Sequence, residues 1–347
     1  MVAAFVVFVQ HFLVVMEISA PSWLSKGPFD SQAAVTLFFV LSGYVLAQSI
    51  SRETPSVAGY LRFGIRRVLR LYPLYWSALL MAFVIYMLIL RSGGLAVQSE
   101  YIPGIFADGE VRWRQWLLHL LMVDGRIDHT YAIPPVWTLL VEARIAVIFP
   151  LVVWVLYRTS WATAGIVWLG LVAASGWLEG HHLGLIAILG EFVVGILLAK
   201  VPFEAWRFGP RCWLVFFMLS LLFFSAILFR FSHKWPAQHA CAVGAAGLVV
   251  CAIHWNRCHQ VLAGIQKFFR VDLSYGLYIL HYPLMMGLLK LKLSGSLPVN
   301  SITSFFLLLL MTCVIAWTLN KAVEVPFIGL GRTLTRRKSR VENSSCD

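Results

Sequence analysis

Apolar runs of about twenty residues, separated by short polar or basic stretches, follow one another along most of the chain. A bilayer core about 30 Å thick is crossed by roughly 20 helical residues, each adding about 1.5 Å. The pattern therefore predicts an all-α, polytopic membrane protein built as one helical bundle. Ten transmembrane helices are predicted, near residues 1–20, 31–50, 72–91, 136–156, 161–178, 183–200, 212–230, 238–255, 272–290 and 300–320.

The composition changes this picture little and excludes several classes of protein. Apolar residues make up 60% of the chain, charged residues make up 13%, and the mean hydropathy is +0.79. Soluble domains are usually about 45–50% apolar and about 25% charged. A soluble enzyme, a disordered regulator and a nucleic-acid-binding domain are therefore all excluded.

The net charge of +12 is explained by where the basic residues lie. They concentrate between the apolar runs, with about twice as many on one side of the predicted bundle as on the other, which by the positive-inside rule is the cytoplasmic side. This places both termini in the cytoplasm of a multi-pass protein of the inner or plasma membrane. We expect a transmembrane domain over 1–325 and, over 326–347, a basic cytoplasmic tail that either contacts anionic membrane lipid or is disordered.

The longest stretch between predicted spans, residues 92–135, is external in this topology. Within it the segment 113–122 is amphipathic, and we expect it to lie on the membrane surface.

A metal site is weakly indicated elsewhere in the sequence. Cys251, His254 and Cys258 share one helical face, but no fourth ligand is evident, so helix packing is favoured and no metal is predicted.

Ionisable residues inside predicted spans are the best indicators of function, because each costs several kcal/mol unless it is paired or faces a cavity. His11 stands alone in the first apolar run. It is either a histidine bonded to a neighbouring helix or a reactive group, since neutral imidazole suits proton transfer near pH 7. Arg67 and Arg70 share a helical face just before the third span. They are either membrane anchors or a phosphate-binding pair.

Glu142 and Arg144 both lie within the fourth predicted span. Two residues apart on a helix, they point to different faces, so each needs another partner. Glu191 in the sixth span is one candidate partner for Arg144. His281 lies in the middle of the ninth span, two residues before the helix-distorting Pro283.

Five motifs, in this order, resemble the membrane acyltransferase 3 family, whose members O-acetylate cell-surface glycans. They are FFVLSGYVL (38–46), RRVLRLYPLYW (66–76), PPVWTLLVEARIAVIFP (134–150), LSYGLYILHYPLM (273–285) and VEVPF (323–327). The resemblance covers about residues 5–330 and implies a fold of ten transmembrane helices. One position departs from the family pattern: a basic residue expected eleven positions before the histidine would fall before Met1.

The resemblance also implies roles for individual residues. His11 matches the first-helix histidine of the family and Glu142 matches its acidic residue, which implies that both are catalytic. Arg67 and Arg70 match the pair associated with the acyl-CoA donor. Arg144 matches a basic variant of the acidic segment, and His281 and Glu324 match late motifs of the family. Arg144 and His281 are therefore expected to support the site, and Glu191 is expected to do so because it is an ionisable residue within a span.

The implied reaction moves an acyl group, by analogy acetyl, from cytoplasmic acyl-CoA to a hydroxyl of a polysaccharide or a lipid-linked glycan. His11 would either act as general base on that hydroxyl or carry the acyl group itself. No permanently bound cofactor is needed. A polytopic transporter of an anionic or sugar-like solute would also place ionisable residues in its spans, although it is disfavoured by the lack of an internal repeat. A structural or lipid-binding subunit would need neither His11 nor Glu142.

Overall fold

The computed structural model describes residues 1–19, 21, 29–51, 53, 55–95, 102–108, 111–122, 131–177, 184–202, 208–225, 234–269, 271–297 and 299–336. Within these ranges every regular element is helical. The helices are α1 (Val2–Val15), α2 (Ser31–Ser51), α3 (Val57–Arg91), α4 (Gly104–Asp108), α5 (Trp113–Leu121), α6 (Trp137–Arg158), α7 (Trp161–Trp177), α8 (Gly184–Ala199), α9 (Pro210–Phe224), α10 (Lys234–His254), α11 (Asn256–Phe269), α12 (Ser274–Leu293), α13 (Ser301–Leu319) and α14 (Val325–Leu334). A 3₁₀ turn, Pro134–Val136, precedes α6, and a π-helical turn, Asn320–Glu324, joins α13 to α14.

A helix occupies each of the ten predicted spans, so the prediction of an all-helical bundle is confirmed. Among the described residues, five helical stretches are long and apolar enough to cross a membrane. They are Ser31–Ser51, Val57–Arg91, Pro134–Arg158, Ala237–His254 and Ser301–Leu334, and shorter apolar helices are Val2–Val15, Trp161–Trp177, Leu185–Ala199 and Pro210–Phe224. The chain is thus a membrane protein, while ten crossings and cytoplasmic termini stay predictions.

Helix α2 connects two parts of the bundle. One large apolar core is built from α1, α3, α12 and α13, and a second joins α2 to α6 and α8. The face of α2 that carries Ala34 packs against α1, whereas the face that carries Phe39 and Ala47 belongs to the second core. Side chains on different faces of α2 therefore pack in different apolar clusters.

The contact between α2 and α8 depends on two glycines. A Cβ atom added to Gly43 would clash with the carbonyl oxygen of Phe192, and one added to Gly195 would clash with the carbonyl oxygen of Val40. Small residues at facing positions allow helix backbones to approach closely in membranes, where dispersion contacts rather than the hydrophobic effect hold helices together. These two glycines therefore set the distance between α2 and α8.

The segment expected on the membrane surface is helical, and one of its faces packs on α3. Helix α5 lies antiparallel to α3, with Trp116 against Phe83 and Tyr86, and Trp116 and His119 are buried. It thus flanks the part of α3 that is predicted to cross the membrane. The amphipathic pattern predicted the helix correctly, but it gave no information about the aromatic side chains of α3 that the helix contacts.

Side chains of α3 satisfy the last carbonyl groups of α5. The last carbonyl groups of a helix have no partner within the helix, so other groups must bond them. The bonds are Tyr72 Oη to Leu121 O at 2.5 Å, Tyr75 Oη to His119 O at 3.0 Å and Trp76 Nε1 to Leu120 O at 3.0 Å. The helix then stops at Met122, which has a left-handed backbone with φ of 58°.

The predicted tail begins inside α14, which packs on α3 where Gly331 meets Leu69. The rest of that predicted tail, residues 337–347, lies outside the described residues.

Candidate active site

Two histidines from different helices meet inside the first core. His11 of α1 and His281 of α12 lie with nitrogens Nδ1 and Nε2, respectively, 2.9 Å apart. Their rings are nearly parallel, at 13°, with centroids 5.2 Å apart. Phe8 stacks obliquely on His281, and Tyr282 presents its ring edge-on to His11. His281 is fully buried and His11 is partly buried.

The hydrogen-bond network fixes which nitrogen of each ring carries the proton. His281 Nδ1 lies 2.9 Å from the carbonyl oxygen of Leu277, which can only accept, so Nδ1 donates. In a neutral imidazole the other nitrogen is then an acceptor, and His281 Nε2 must receive its hydrogen from His11 Nδ1. By elimination, His11 Nε2 has an unprotonated lone pair, and no described residue donates to it.

A buried ion pair lies closer than the histidines to the end of the bundle that is predicted to face the cytoplasm. The guanidinium of Arg67 in α3 bonds the carboxylate of Glu142 in α6, and the two side chains are 9% and 3% exposed. Ser42 of α2 also donates to Glu142, at 3.4 Å. Glu142 thus has a partner other than Arg144, as its position on the helix required. The pair also ties three helices together.

Hydroxyl groups occupy the space between the ion pair and the histidines. Tyr278 Oη donates to the carbonyl oxygen of Pro135 at 2.7 Å and lies 2.7 Å from Thr138 Oγ1. Tyr275, one turn earlier on α12, donates to Leu71 O at 2.7 Å. The sequence analysis missed these residues. The signal was available for Tyr278, because it precedes His281 by three positions and so shares its helical face.

A cavity of about 180 Å³ opens beside the ion pair. Arg66, Arg67 and Arg70 of α3 line it, together with Glu53 from the α2–α3 linker and apolar residues of α2 and α6. Arg67 and Arg70 therefore reach the same cavity, as expected for a pair of related function, but Arg67 is bonded to Glu142 whereas Arg70 is exposed.

Glu53 bridges two arginines at this cavity. Its oxygens accept from Arg62 at 2.8 Å and from Arg66 at 2.7 Å. Burial alone would raise the pKa of Glu53, but the hydrogen bonds and charges of Arg62 and Arg66 outweigh that effect, so the pKa is lowered from its ordinary value. The linker carboxylate therefore stays ionised and holds both guanidinium groups.

Arg70 lies within electrostatic range of Asp272 and Glu324. Asp272 accepts two hydrogen bonds from Ser274, from its backbone N–H at 3.0 Å and from its Oγ at 2.6 Å. Glu324, in the π-helical turn, accepts from Asn320 Nδ2 at 2.8 Å. Arg70 thus interacts with two carboxylates at longer range, whereas Arg67 is bonded directly to one.

Glu191 is not part of this arrangement. It lies in the second part of the bundle, where it accepts from Gln238 Nε2 at 2.6 Å and from Thr36 Oγ1 at 3.5 Å. The pairing considered with Arg144 does not form. Two charges in neighbouring spans do not determine whether their side chains share a face. Here an amide and a hydroxyl both donate to Oε1 of Glu191, and its buried Oε2 has no hydrogen-bond partner among the described residues. Elsewhere, no group of three or more His, Cys, Asp or Glu side chains within the described ranges is placed to hold a metal ion.

Comparison with known proteins gives these residues a context. The family model described as an acyltransferase domain, acyltransferase 3, matches residues 1–321. The chain belongs to this acyltransferase family. It is also 25% identical to nodulation protein 10 of Rhizobium leguminosarum bv. viciae over 321 residues, which covers 81% of this chain and 82% of the relative. No solved structure matches the chain.

The acyltransferase motifs converge from separate parts of the sequence. The histidine pair unites the first helix with α12, and the ion pair unites the arginine motif of α3 with the acidic motif of α6. Two elements of acyl-transfer chemistry are present: an imidazole with a bare nitrogen in an apolar setting, and a cationic cavity at one end of the bundle.

Proposed function

We propose that this acyltransferase moves an acyl group, in particular acetyl, from cytoplasmic acyl-CoA to a hydroxyl of a polysaccharide or lipid-linked glycan. The protein would reside as a multi-pass protein in the inner or plasma membrane. Family membership supports the reaction class. The observation that carries the mechanism is the bare Nε2 of His11, which the contact with His281 orients.

The donor enters through the arginine-lined cavity beside α3. Its phosphates are anionic and match the cationic wall, while its acyl-thioester end extends past the Arg67–Glu142 pair toward Tyr278 and His11. Hydroxyl groups along this path supply hydrogen bonds that hydrocarbon cannot supply. In this proposal these groups form a polar route from one end of the bundle to the histidines.

The reaction itself is a direct transfer with His11 as general base. The acceptor hydroxyl gives its proton to His11 Nε2, and its oxygen attacks the thioester carbon. The carbon–sulfur bond then breaks, the acyl group becomes an ester of the acceptor, and the leaving thiolate of CoA takes the proton from His11. Glu142 is bonded to Arg67, so we assign it a positioning role rather than the catalytic role implied by the family motif.

His11→Gln tests this mechanism, because glutamine can form hydrogen bonds but cannot accept a proton near neutral pH. With purified protein, acetyl-CoA and candidate glycans, thioester consumption should fall by about 10²-fold or more, while CoA binding and thermal unfolding stay near wild type. Gln10→Ala, which alters the neighbouring polar side chain, is the matched control and should retain most activity. Near wild-type transfer by His11→Gln would refute the role of His11.

A further inference from the structure

Three arginines form a row along α3. Arg62, Arg66 and Arg70 are spaced by four residues, and a helix turns about 400° over four residues, so the three share one face. Each step rises about 6 Å, which gives a row about 12 Å long. Arg66 and Arg70 line the cavity, and Arg62 is joined to Arg66 through Glu53. Arg62 and Arg66 lie outside the two positions that match the family motif.

Arg67 differs from the row in burial and in partner. Its side chain is 9% exposed and its guanidinium is bonded to Glu142, whereas the side chain of Arg66 is 37% exposed. A buried charge that loses its partner is strongly destabilising, so Arg67 has little freedom to turn to a ligand. Arg66 can exchange its partner at much lower cost because water reaches it.

Glu53 acts on this row as an internal anion. One carboxylate holds two guanidinium groups at 2.7 and 2.8 Å, much as a phosphate group would. Neither Arg62 nor Arg66 uses its Nε hydrogen for a bond to any described residue. Both guanidiniums therefore have donors in excess of what Glu53 can accept.

We propose that Arg62, Arg66 and Arg70 form a phosphate-binding row for a nucleotide-bearing acyl donor, and that Glu53 holds the row ready until phosphate displaces it. The inference rests on the proposed function and refines it: the donor is held by the row of three arginines, while Arg67 positions Glu142. A donor with several phosphates along its length suits a row of cations better than a single pair of arginines does.

The test compares binding of CoA and of pantetheine, which lacks the nucleotide phosphates, by purified protein in neutral detergent. Arg66→Gln should weaken CoA binding about tenfold or more and leave pantetheine binding unchanged. Glu53→Gln removes the internal competitor and should tighten CoA binding several-fold. Arg211→Gln, exposed on α9 and away from the cavity, is the matched control and should change neither.

Arg67→Gln distinguishes the row from Arg67, the arginine of the family pair that lies outside it. CoA binding by the folded fraction should stay within about threefold of wild type, while transfer falls because Glu142 loses its partner. The proposal is overturned if Arg66→Gln behaves like Arg211→Gln, or if Arg67→Gln loses as much CoA binding as Arg66→Gln. Should Arg67→Gln not fold, the Arg66 and Glu53 variants still decide the question.

Two further measurements distinguish the failure of this inference from the failure of the proposed function. If wild-type protein consumes acetyl-CoA and Arg66→Gln leaves its CoA affinity unchanged, the row is refuted and the function stands. If inorganic pyrophosphate binds in an Arg66-dependent manner but CoA does not bind, the phosphate site stands and the proposed donor is refuted. Vesicles of phosphatidylglycerol that compete for Arg66 more strongly than CoA does would assign the row to lipid headgroups and overturn the donor assignment.

Discussion

His281 Nε2 receives the hydrogen of His11 Nδ1 across 2.9 Å, and this single bond leaves the opposite nitrogen of His11 bare. The tautomer of His281 is set one turn earlier on α12, where the carbonyl oxygen of Leu277 accepts a hydrogen bond from His281 Nδ1. A backbone group on one helix thus sets the protonation pattern of a side chain on another. His281 is a positioning residue in this scheme, because it acts on the reaction through His11.

Removal of His281 should therefore affect turnover more than donor binding. His281→Ala leaves His11 free to adopt either tautomer, so we expect kcat to fall by about 10²-fold with little change in the KM for acyl-CoA. His281→Gln can still accept a hydrogen at a position near the lost Nε2 and should recover part of the loss. Steady-state kinetics of both variants measure this split. Equal losses in the two variants would show that the ring is needed for packing alone.

Removing one member of the Arg67–Glu142 pair should lower the free energy of unfolding more than replacing both members with apolar residues does. Arg67→Met or Glu142→Leu leaves one charge buried without its partner, which costs about 3–5 kcal/mol. The double variant removes both charges, and we expect it to be more stable than either single variant. Denaturant unfolding in detergent provides the three free energies of unfolding. If the effects of the single variants simply add, the two side chains do not interact in the folded protein.

Replacing either glycine at the contact between α2 and α8 should lower the stability of the protein, and a third glycine serves as the control. Gly43→Ala and Gly195→Ala each place a Cβ against a backbone oxygen, so α2 and α8 must separate, at a cost of about 1–3 kcal/mol. Gly170 on α7 has open space around it, and Gly170→Ala should be neutral or stabilising by up to about 1 kcal/mol. Thermal unfolding of the three variants distinguishes close approach from helix propensity.

Acid should weaken the bridge that Glu53 makes. The pKa of Glu53 is lowered in the folded protein, so its stabilising contribution is fully present above the ordinary glutamate pKa and is lost as pH falls through the lowered value. Wild type should thus unfold at a higher temperature than Glu53→Gln near pH 7, and the difference should shrink toward zero as the pH falls below about 4. A difference that stays constant over this range would mean that Glu53 stabilises the linker without its charge.

The sequence predicted the helices and several members of the site, but not which side chains meet. Hydropathy indicates where a helix must lie because the cost of exposing polar backbone to lipid depends on local composition. His11 was singled out because it is alone in an apolar run, and His281 because it lies mid-span. Their contact depends on how α1 and α12 pack, and no local pattern contains that information.

Two sets of contacts that the sequence did not predict have the same origin. Helix α5 was expected on the membrane surface, and Glu191 was considered a partner for Arg144. In each case the deciding partners are distant in sequence: aromatic residues of α3 for the first, and Thr36 and Gln238 for the second. Burial of a polar group requires a partner but does not name it.

The bonds that cap α5 also constrain the order in which the protein is assembled. Leu121, Leu120 and His119 have their carbonyl groups satisfied by Tyr72, Trp76 and Tyr75. If α5 entered the bilayer before α3, it would bring these oxygens into hydrocarbon without donors, at several kcal/mol for each group. Because α3 precedes α5 in the chain, these aromatic donors are synthesised first, and we expect α5 to dock on a face of α3 that is already in place. On this expectation the α3 motif guides the placement of a helix that is too short to cross the membrane by itself.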